Sequence, residues 1–239
     1  MSYPEVPRPR IACFHGGGST ASIFTEQSSQ LISSLSPTFQ FVFFDAPFEC
    51  HAGPGILPAF AHEKYGPYRT WFASLERGDG RSVEGGGEGG VERVLRMLAD
   101  EEGEGEWVGC MGFSQGTRVV GGLLLDQQRR REMRLPKAEG DIDFKFGILC
   151  MGGGAPMISD IMHSSLSEDH KITIPTLHLH GTKDTNFENG KKQLTGFYDQ
   201  SAARVWDIAY HHAMPWYKAD VLKFVELITS LNEDTKERL

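Results

Sequence analysis

Six short apolar runs, at residues 11–15, 39–45, 107–113, 144–151, 176–180 and 203–208, set the terms for any fold of this chain. Most are continuous rather than alternating. A strand that is apolar on both sides must be covered on both sides, which is the condition of a parallel sheet flanked by helices. The segments between the runs carry helical spacing. Ile23, Leu31, Ile32 and Leu35 make one stripe, with Ser19 or Thr20 placed to cap it. Val91, Val94, Leu95 and Leu98 make a second, and Val119, Val120, Leu123 and Leu124 a third. Val221, Leu222, Phe224, Val225 and Ile228 make a terminal one. Strand–helix alternation along the whole length predicts an α/β fold with a mostly parallel sheet and helices on both faces. No internal repeat is visible.

At 239 residues with 39% hydrophobic residues, the chain can bury a sizeable core, and residues 1–239 read as a single domain. The net charge of -8 supplies no basic face for nucleic acid and no polybasic patch for an anionic membrane. No run reaches the ~18 apolar residues of a membrane span. The N-terminal ten residues contain no apolar leader core, and Lys236-Glu237-Arg238-Leu239 is not a peroxisomal address. Cys13, Cys50, Cys110 and Cys150 are far apart, and three lie in apolar runs, so buried thiols and a cytoplasmic location are expected. Glycine is in excess, 28 residues against a usual ~7% of a chain. Seven of these fall in 78–90, which has too little apolar surface to offset its ordering entropy and is expected to be a mobile surface loop. The charged stretch 127–143 is expected to be a solvated helix end and loop.

Gly112-Phe113-Ser114-Gln115-Gly116 matches G-x-S-x-G between the strand at 107–113 and the third helical stripe. That is a nucleophile elbow, in which a sharp strand-to-helix turn holds the Ser114 hydroxyl at the edge of the sheet. A serine hydroxyl is a weak nucleophile and needs an adjacent base, itself oriented by an acid. Asp184 ends the turn after the strand at 176–180, at the carboxyl edge where α/β sheets gather their ligand-binding residues. Only His211 and His212 follow it, so the base is one of these two. His178 and His180 share a strand face without a partner at metal-ligand spacing, and a packing role is expected of them. No metal site is expected. The oxyanion donors should be the backbone N–H of Gln115 and one from the loop His15-Gly16-Gly17-Gly18-Ser19, of the HGGG type.

Together these segments resemble the small FSH-type serine hydrolases of the α/β-hydrolase superfamily. The resemblance runs from Ile11-Ala12-Cys13-Phe14-His15-Gly16-Gly17-Gly18, with Ile23-Phe24 and Gln27, through Phe44-Asp45-Ala46-Pro47 and Tyr68-Arg69-Thr70-Trp71-Phe72. It continues through the Ser114 pentapeptide and His180-Gly181-Thr182-Lys183-Asp184 to His212-Ala213-Met214-Pro215. The family's histidine lies three residues before a proline, which maps the base onto His212 and leaves His211 where the family usually has glycine. The resemblance implies an α/β-hydrolase fold with a short lid and no large cap domain. It also implies cofactor-free cleavage of an ester or thioester through Ser114, Asp184 and His212, with Gly17 and Gln115 binding the oxyanion. An acyl or polyketide chain on an acyl carrier protein is one implied substrate, and a small-molecule ester another.

Candidate pocket residues are Phe44, Pro47, Tyr68, Trp71 and Phe72 from the aromatic-rich early segments, and His211 beside the base. Met157 and Ile158, with Ile161 and Met162, are candidates for the lid. Three rival readings share the same residues: an acyltransferase or C–C bond-forming enzyme, a non-catalytic binding module on the hydrolase fold, and a peptidase.

Overall fold

A computed structural model describes residues 7–72, 90–161 and 171–237. All six apolar runs form strands: β1 (Arg10–Phe14), β2 (Gln40–Phe44), β5 (Trp107–Phe113), β6 (Phe146–Cys150), β7 (Thr176–Gly181) and β8 (Ala203–Ile208). They make one sheet in the order β2-β1-β5-β6-β7-β8, with every pairing parallel. The continuous apolar character of the strands has the predicted cause. On β1, Ile11 and Cys13 belong to one core and Ala12 and Phe14 to the other. The first core includes Phe24 and Leu31 of α1 (Ala21–Gln27) and α2 (Ser29–Leu35), and Phe224 and Ile228 of α7 (Lys218–Glu237). The second includes Val94 and Leu98 of α4 (Val91–Ala99) and Val120 and Leu124 of α5 (Gly116–Glu132). Burying such side chains stabilises by about 1.5–3 kcal/mol each before the entropy of ordering them is counted.

The structure differs from the sequence expectations at several places. The first helical stripe is broken at Ser28 into two seven-residue helices. Thr20 caps the first, its side chain accepting the Ile23 N–H at 3.3 Å. An antiparallel pair, β3 (Phe48–Glu49) with β4 (Arg69–Thr70), was not expected, nor were the short α3 (His62–Tyr65) and α6 (Phe187–Phe197). Helix α6 escapes a periodicity test because Gly190, Gln193 and Leu194 are the residues it buries. The charged stretch 127–143 is not all solvated: Gln128 and Arg129 are buried, and the Gln127 carboxamide holds both backbone groups of Phe144. The glycine-rich 78–90 lies outside the described residues up to position 89, and so does Met162. Cys13, Cys110 and Cys150 are buried and Cys50 is exposed. No described helix is long and apolar enough to cross a membrane.

The topology fixes where a site can form. From β1 the chain adds β2 on one side, then crosses back to add β5 on the other. The connections leaving β1 and β5 therefore diverge, and a crevice opens above the carboxyl ends of these two neighbours. The loops that leave them carry the glycines at 16–18 and Ser114.

Candidate active site

Ser114 has φ 51°, in the left-handed region that costs a side-chain-bearing residue about 1–3 kcal/mol. The turn is held at both ends. Ser114 donates its N–H to the Cys150 carbonyl at 2.8 Å, and its own carbonyl accepts from Thr117 Oγ1 at 2.7 Å. Gly116 is required by close approach: a Cβ there would lie 2.0 Å from the Phe14 carbonyl oxygen, so helix α5 starts against the end of β1. The N-terminal end of this 17-residue helix faces Ser114 and favours negative charge there.

The loops that carry Asp184 and His212 are laced together. Asp184 has a side chain only 1% exposed and accepts the Asn186 N–H on Oδ1 at 2.9 Å. His212 Nδ1 donates to Asp184 Oδ2 at 2.6 Å. Because the carboxylate only accepts, the imidazole proton sits on Nδ1 and Nε2 keeps its lone pair. The loop 181–184 donates to the backbone of the β8 exit through Thr182 to Ile208 and Lys183 to Tyr210. His211, left as an equal candidate by position, is exposed and donates from Nδ1 to the Lys183 carbonyl at 3.0 Å. It braces the Asp184 loop from outside and is not among the residues that line the cleft holding Ser114.

His15 has a role beyond marking its motif. It is fully buried, with Nδ1 donating to its neighbour Gly16 O at 2.7 Å and Nε2 accepting from Ala46 N at 3.0 Å. An acceptor at Nε2 requires the neutral ring, and burial lowers its pKa to about 4. The Gly16 carbonyl is thereby turned toward His15. In a planar trans peptide the N–H of Gly17 points the opposite way. Neither this N–H nor that of Gln115 donates to a protein backbone acceptor among the described residues. The Gln115 carboxamide lies directly under Gly17 and accepts the Trp71 N–H at 2.9 Å. Gly18, at φ +69°, presses so close to Gly53 that a Cβ would meet its nitrogen at 2.1 Å. This contact brings the loop 53–56 beside the glycines.

A cleft of about 540 Å³, including its open mouth, gathers Gly16, Gly17, Ser19, Gln27, Phe113, Ser114 and His212, with Pro54, Gly55 and Ile56 on one wall. The aromatic-rich early segments could serve as core or as a pocket wall, and most of them pack as core. Phe44 and Phe72 are core residues, and Pro47 does not reach the cleft. Tyr68 is buried in a small cluster with Ile23 and Ile56, and its hydroxyl donates to the Phe60 carbonyl. Trp71 is buried behind the glycine loop, donating Nε1–H to the His15 carbonyl at 2.8 Å. Met157 and Ile158 do not cover the site either. Met157 is core, and Ile158 accepts the Val91 N–H at the start of α4. These positions are apolar because helices pack on them. The Gly/Pro cluster at 53–55 was the available signal for the cleft wall. His178 and His180 are buried in β7 against Tyr198 and Phe187.

The family model described as Serine hydrolase (FSH1) matches residues 1–224. The chain is 32% identical to the "probable esterase tazC" of Aspergillus terreus, over 97% of this chain and 95% of that one. It is 33% identical to esterase citA of Monascus ruber, over 89% of this chain and 88% of that one. Among solved structures it is similar to acyl-protein thioesterase 2 of Zea mays, with a TM-score of 0.60 at 17% identity, covering 97% of each chain. The last likeness shows the α/β-hydrolase fold. The chain thus belongs to the FSH1 serine hydrolase family and is a serine hydrolase of that family.

Proposed function

We propose that this protein cleaves carboxylic esters and thioesters through an acyl-enzyme on Ser114, with His212 as base, Asp184 as its orienting acid, and the N–H groups of Gly17 and Gln115 as the oxyanion hole. The observation that carries the reading is the buried Asp184 paired with His212 at 2.6 Å on the same cleft as a serine at φ 51°. Ser114 Oγ gives its proton to His212 Nε2 as it attacks the carbonyl carbon. The imidazolium is stabilised by Asp184, and the carbonyl oxygen becomes an oxyanion between the two N–H groups. His212 returns the proton to an alcohol leaving group as it departs; a thiolate departs first and then takes the same proton from His212 through solvent, so that the imidazole is neutral again in either case. Water then gives a proton to His212 and its oxygen to the acyl carbon, and the released serine takes that proton back.

The names of the relatives support an ester substrate. Accessibility supports a thioester presented by a carrier protein, because His212 reaches solvent with a side chain 33% exposed. Labelling with a fluorophosphonate followed by intact-protein mass spectrometry tests the reading. The expected result is one adduct, on Ser114, and hydrolysis of acyl thioesters that Ser114→Ala abolishes. Full turnover by Ser114→Ala would refute the mechanism. Absence of both labelling and turnover in the wild type would leave a binding module on the hydrolase fold.

A further inference from the structure

His212 stands in a stretch without regular secondary structure, between the end of β8 at Ile208 and the start of α7 at Lys218. Among the described residues, its backbone makes no backbone hydrogen bond. Its imidazole makes one hydrogen bond, to Asp184, and rests against the Phe113 ring at 5.0 Å between centroids. Where Nε2 lies is therefore set by how the chain is fixed on either side. Before His212, the Tyr210 carbonyl accepts the Lys183 N–H at 3.0 Å and so joins the Asp184 loop. After it, the N–H groups of Trp216 and Tyr217, at 3.3 and 3.1 Å, both donate to the Tyr210 hydroxyl. That hydroxyl donates in turn to Asp220 Oδ2 at 2.8 Å, in the first turn of α7. One bond given and two accepted use a phenol fully. The Tyr210 ring is buried, with the Trp216 ring 4.2 Å away between centroids.

The chain thus leaves Tyr210, passes through His212 and comes back to the Tyr210 side chain. We propose that Tyr210 is a positioning residue for His212: its hydroxyl closes the loop 211–217 and holds the imidazole Nε2 toward Ser114. The proposal rests on the reading of His212 as the base. Tyr210 is not among the residues that line the cleft, so it acts through His212 and not on the substrate. A misplacement of about 1 Å at a reacting group costs roughly a hundredfold in rate. The same hydroxyl also satisfies N–H groups just ahead of α7, which a helix start leaves without intrahelical partners. Its loss lowers stability for that reason alone, and only the rate separates the two roles.

The test measures kcat and KM for p-nitrophenyl butyrate. Tyr210→Phe keeps the ring and removes only the hydroxyl. It should lower kcat about a hundredfold and leave KM within about threefold. In a His212→Ala background, the remaining turnover comes from the oxyanion hole and binding. There Tyr210→Phe should change the rate by less than about twofold, because no base is left to misplace. A loss of equal size in both backgrounds would overturn the proposal, since it would make Tyr210 part of the general scaffold. So would a wild-type kcat in Tyr210→Phe. If circular dichroism shows Tyr210→Phe unfolded, Asp220 supplies the decision. Asp220→Ala frees the hydroxyl and should lower kcat about tenfold, the yield of one net hydrogen bond. Asp220→Asn keeps an accepting oxygen and should recover kcat to within about threefold of the wild type. Equal kcat in these two variants would overturn the proposal. Full turnover by His212→Ala would remove the base itself, an outcome distinct from an inactive His212→Ala beside an unimpaired Tyr210→Phe.

Discussion

Lowering the pH from 7.5 to 4 tests the buried neutral His15 that shapes the glycine loop. Its pKa is lowered by burial to about 4 in the folded protein, against an ordinary 6.5. Above pH 6.5 the ring is neutral in both the folded and unfolded states, and the stability it leaves intact is fully present. As the pH falls below 6.5, the unfolded chain takes up a proton that the folded one refuses. Stability is therefore lost at about 1.4 kcal/mol per pH unit, and the loss levels off near pH 4. Over that window His15 alone removes about 3 kcal/mol, a large share of a typical 5–15 kcal/mol. His178, lowered by burial to about 3, falls in the same direction over a window extending to lower pH. Urea titrations at pH 7.5, 6.0, 5.0 and 4.0 measure the slope. His15→Gln lowers stability at every pH, yet its slope between 6.5 and 4 should be shallower than the wild type's by about 1.4 kcal/mol per unit. Subtracting the two curves cancels His178 and the carboxylates. Parallel curves would show that His15 is charged or exposed when folded, and would remove the argument that it orients Gly17.

Asp184→Asn keeps the volume but offers the wrong partner to His212 Nδ1–H, so ester turnover should fall by roughly 10³–10⁴-fold with an unchanged circular dichroism spectrum. A loss under tenfold would detach Asp184 from the reaction. Gly116→Ala places a methyl 2.0 Å from the Phe14 carbonyl, backbone that cannot swing aside, and should destabilise by about 3 kcal/mol in urea titration. An unshifted midpoint would mean that the α5–β1 contact is looser than described.

How much of this was legible follows from how local each signal is. The strands at 11–15 and 107–113 show as continuous apolar runs because two helical layers cover them. The Ser114 turn shows because its glycines and its flanking elements lie within one short stretch. The candidate base is narrowed by position to His211 or His212 and no further. What separates them is that His212 meets Asp184 while His211 turns to the carbonyl of Lys183, both contacts made across 28 positions of chain. The cleft wall had only the Gly53-Pro54-Gly55 cluster as a local signal. It is made where residues 16–19, 27, 54–56 and 113 meet, and hydrophobicity alone favoured the aromatic segment instead.

The aromatic segment shows where substrate choice can and cannot be altered. Trp71 grips the His15 carbonyl from behind, and its N–H ends on the Gln115 carboxamide that supports Gly17. A smaller residue at 71 would loosen the placement of both proposed oxyanion donors before it enlarged any pocket, lowering kcat for every substrate alike. Ile56 lines the cleft, and the loop 53–56 that carries it is tied to the glycine loop through Gly53, whose N–H donates to the Gly18 carbonyl at 2.9 Å, while positions 54–56 make no backbone hydrogen bond to that loop among the described residues. A change of volume there acts on the substrate first. Selectivity in this fold is therefore adjustable at 54–56, whereas the aromatic positions behind the glycine loop are constrained by the chemistry itself.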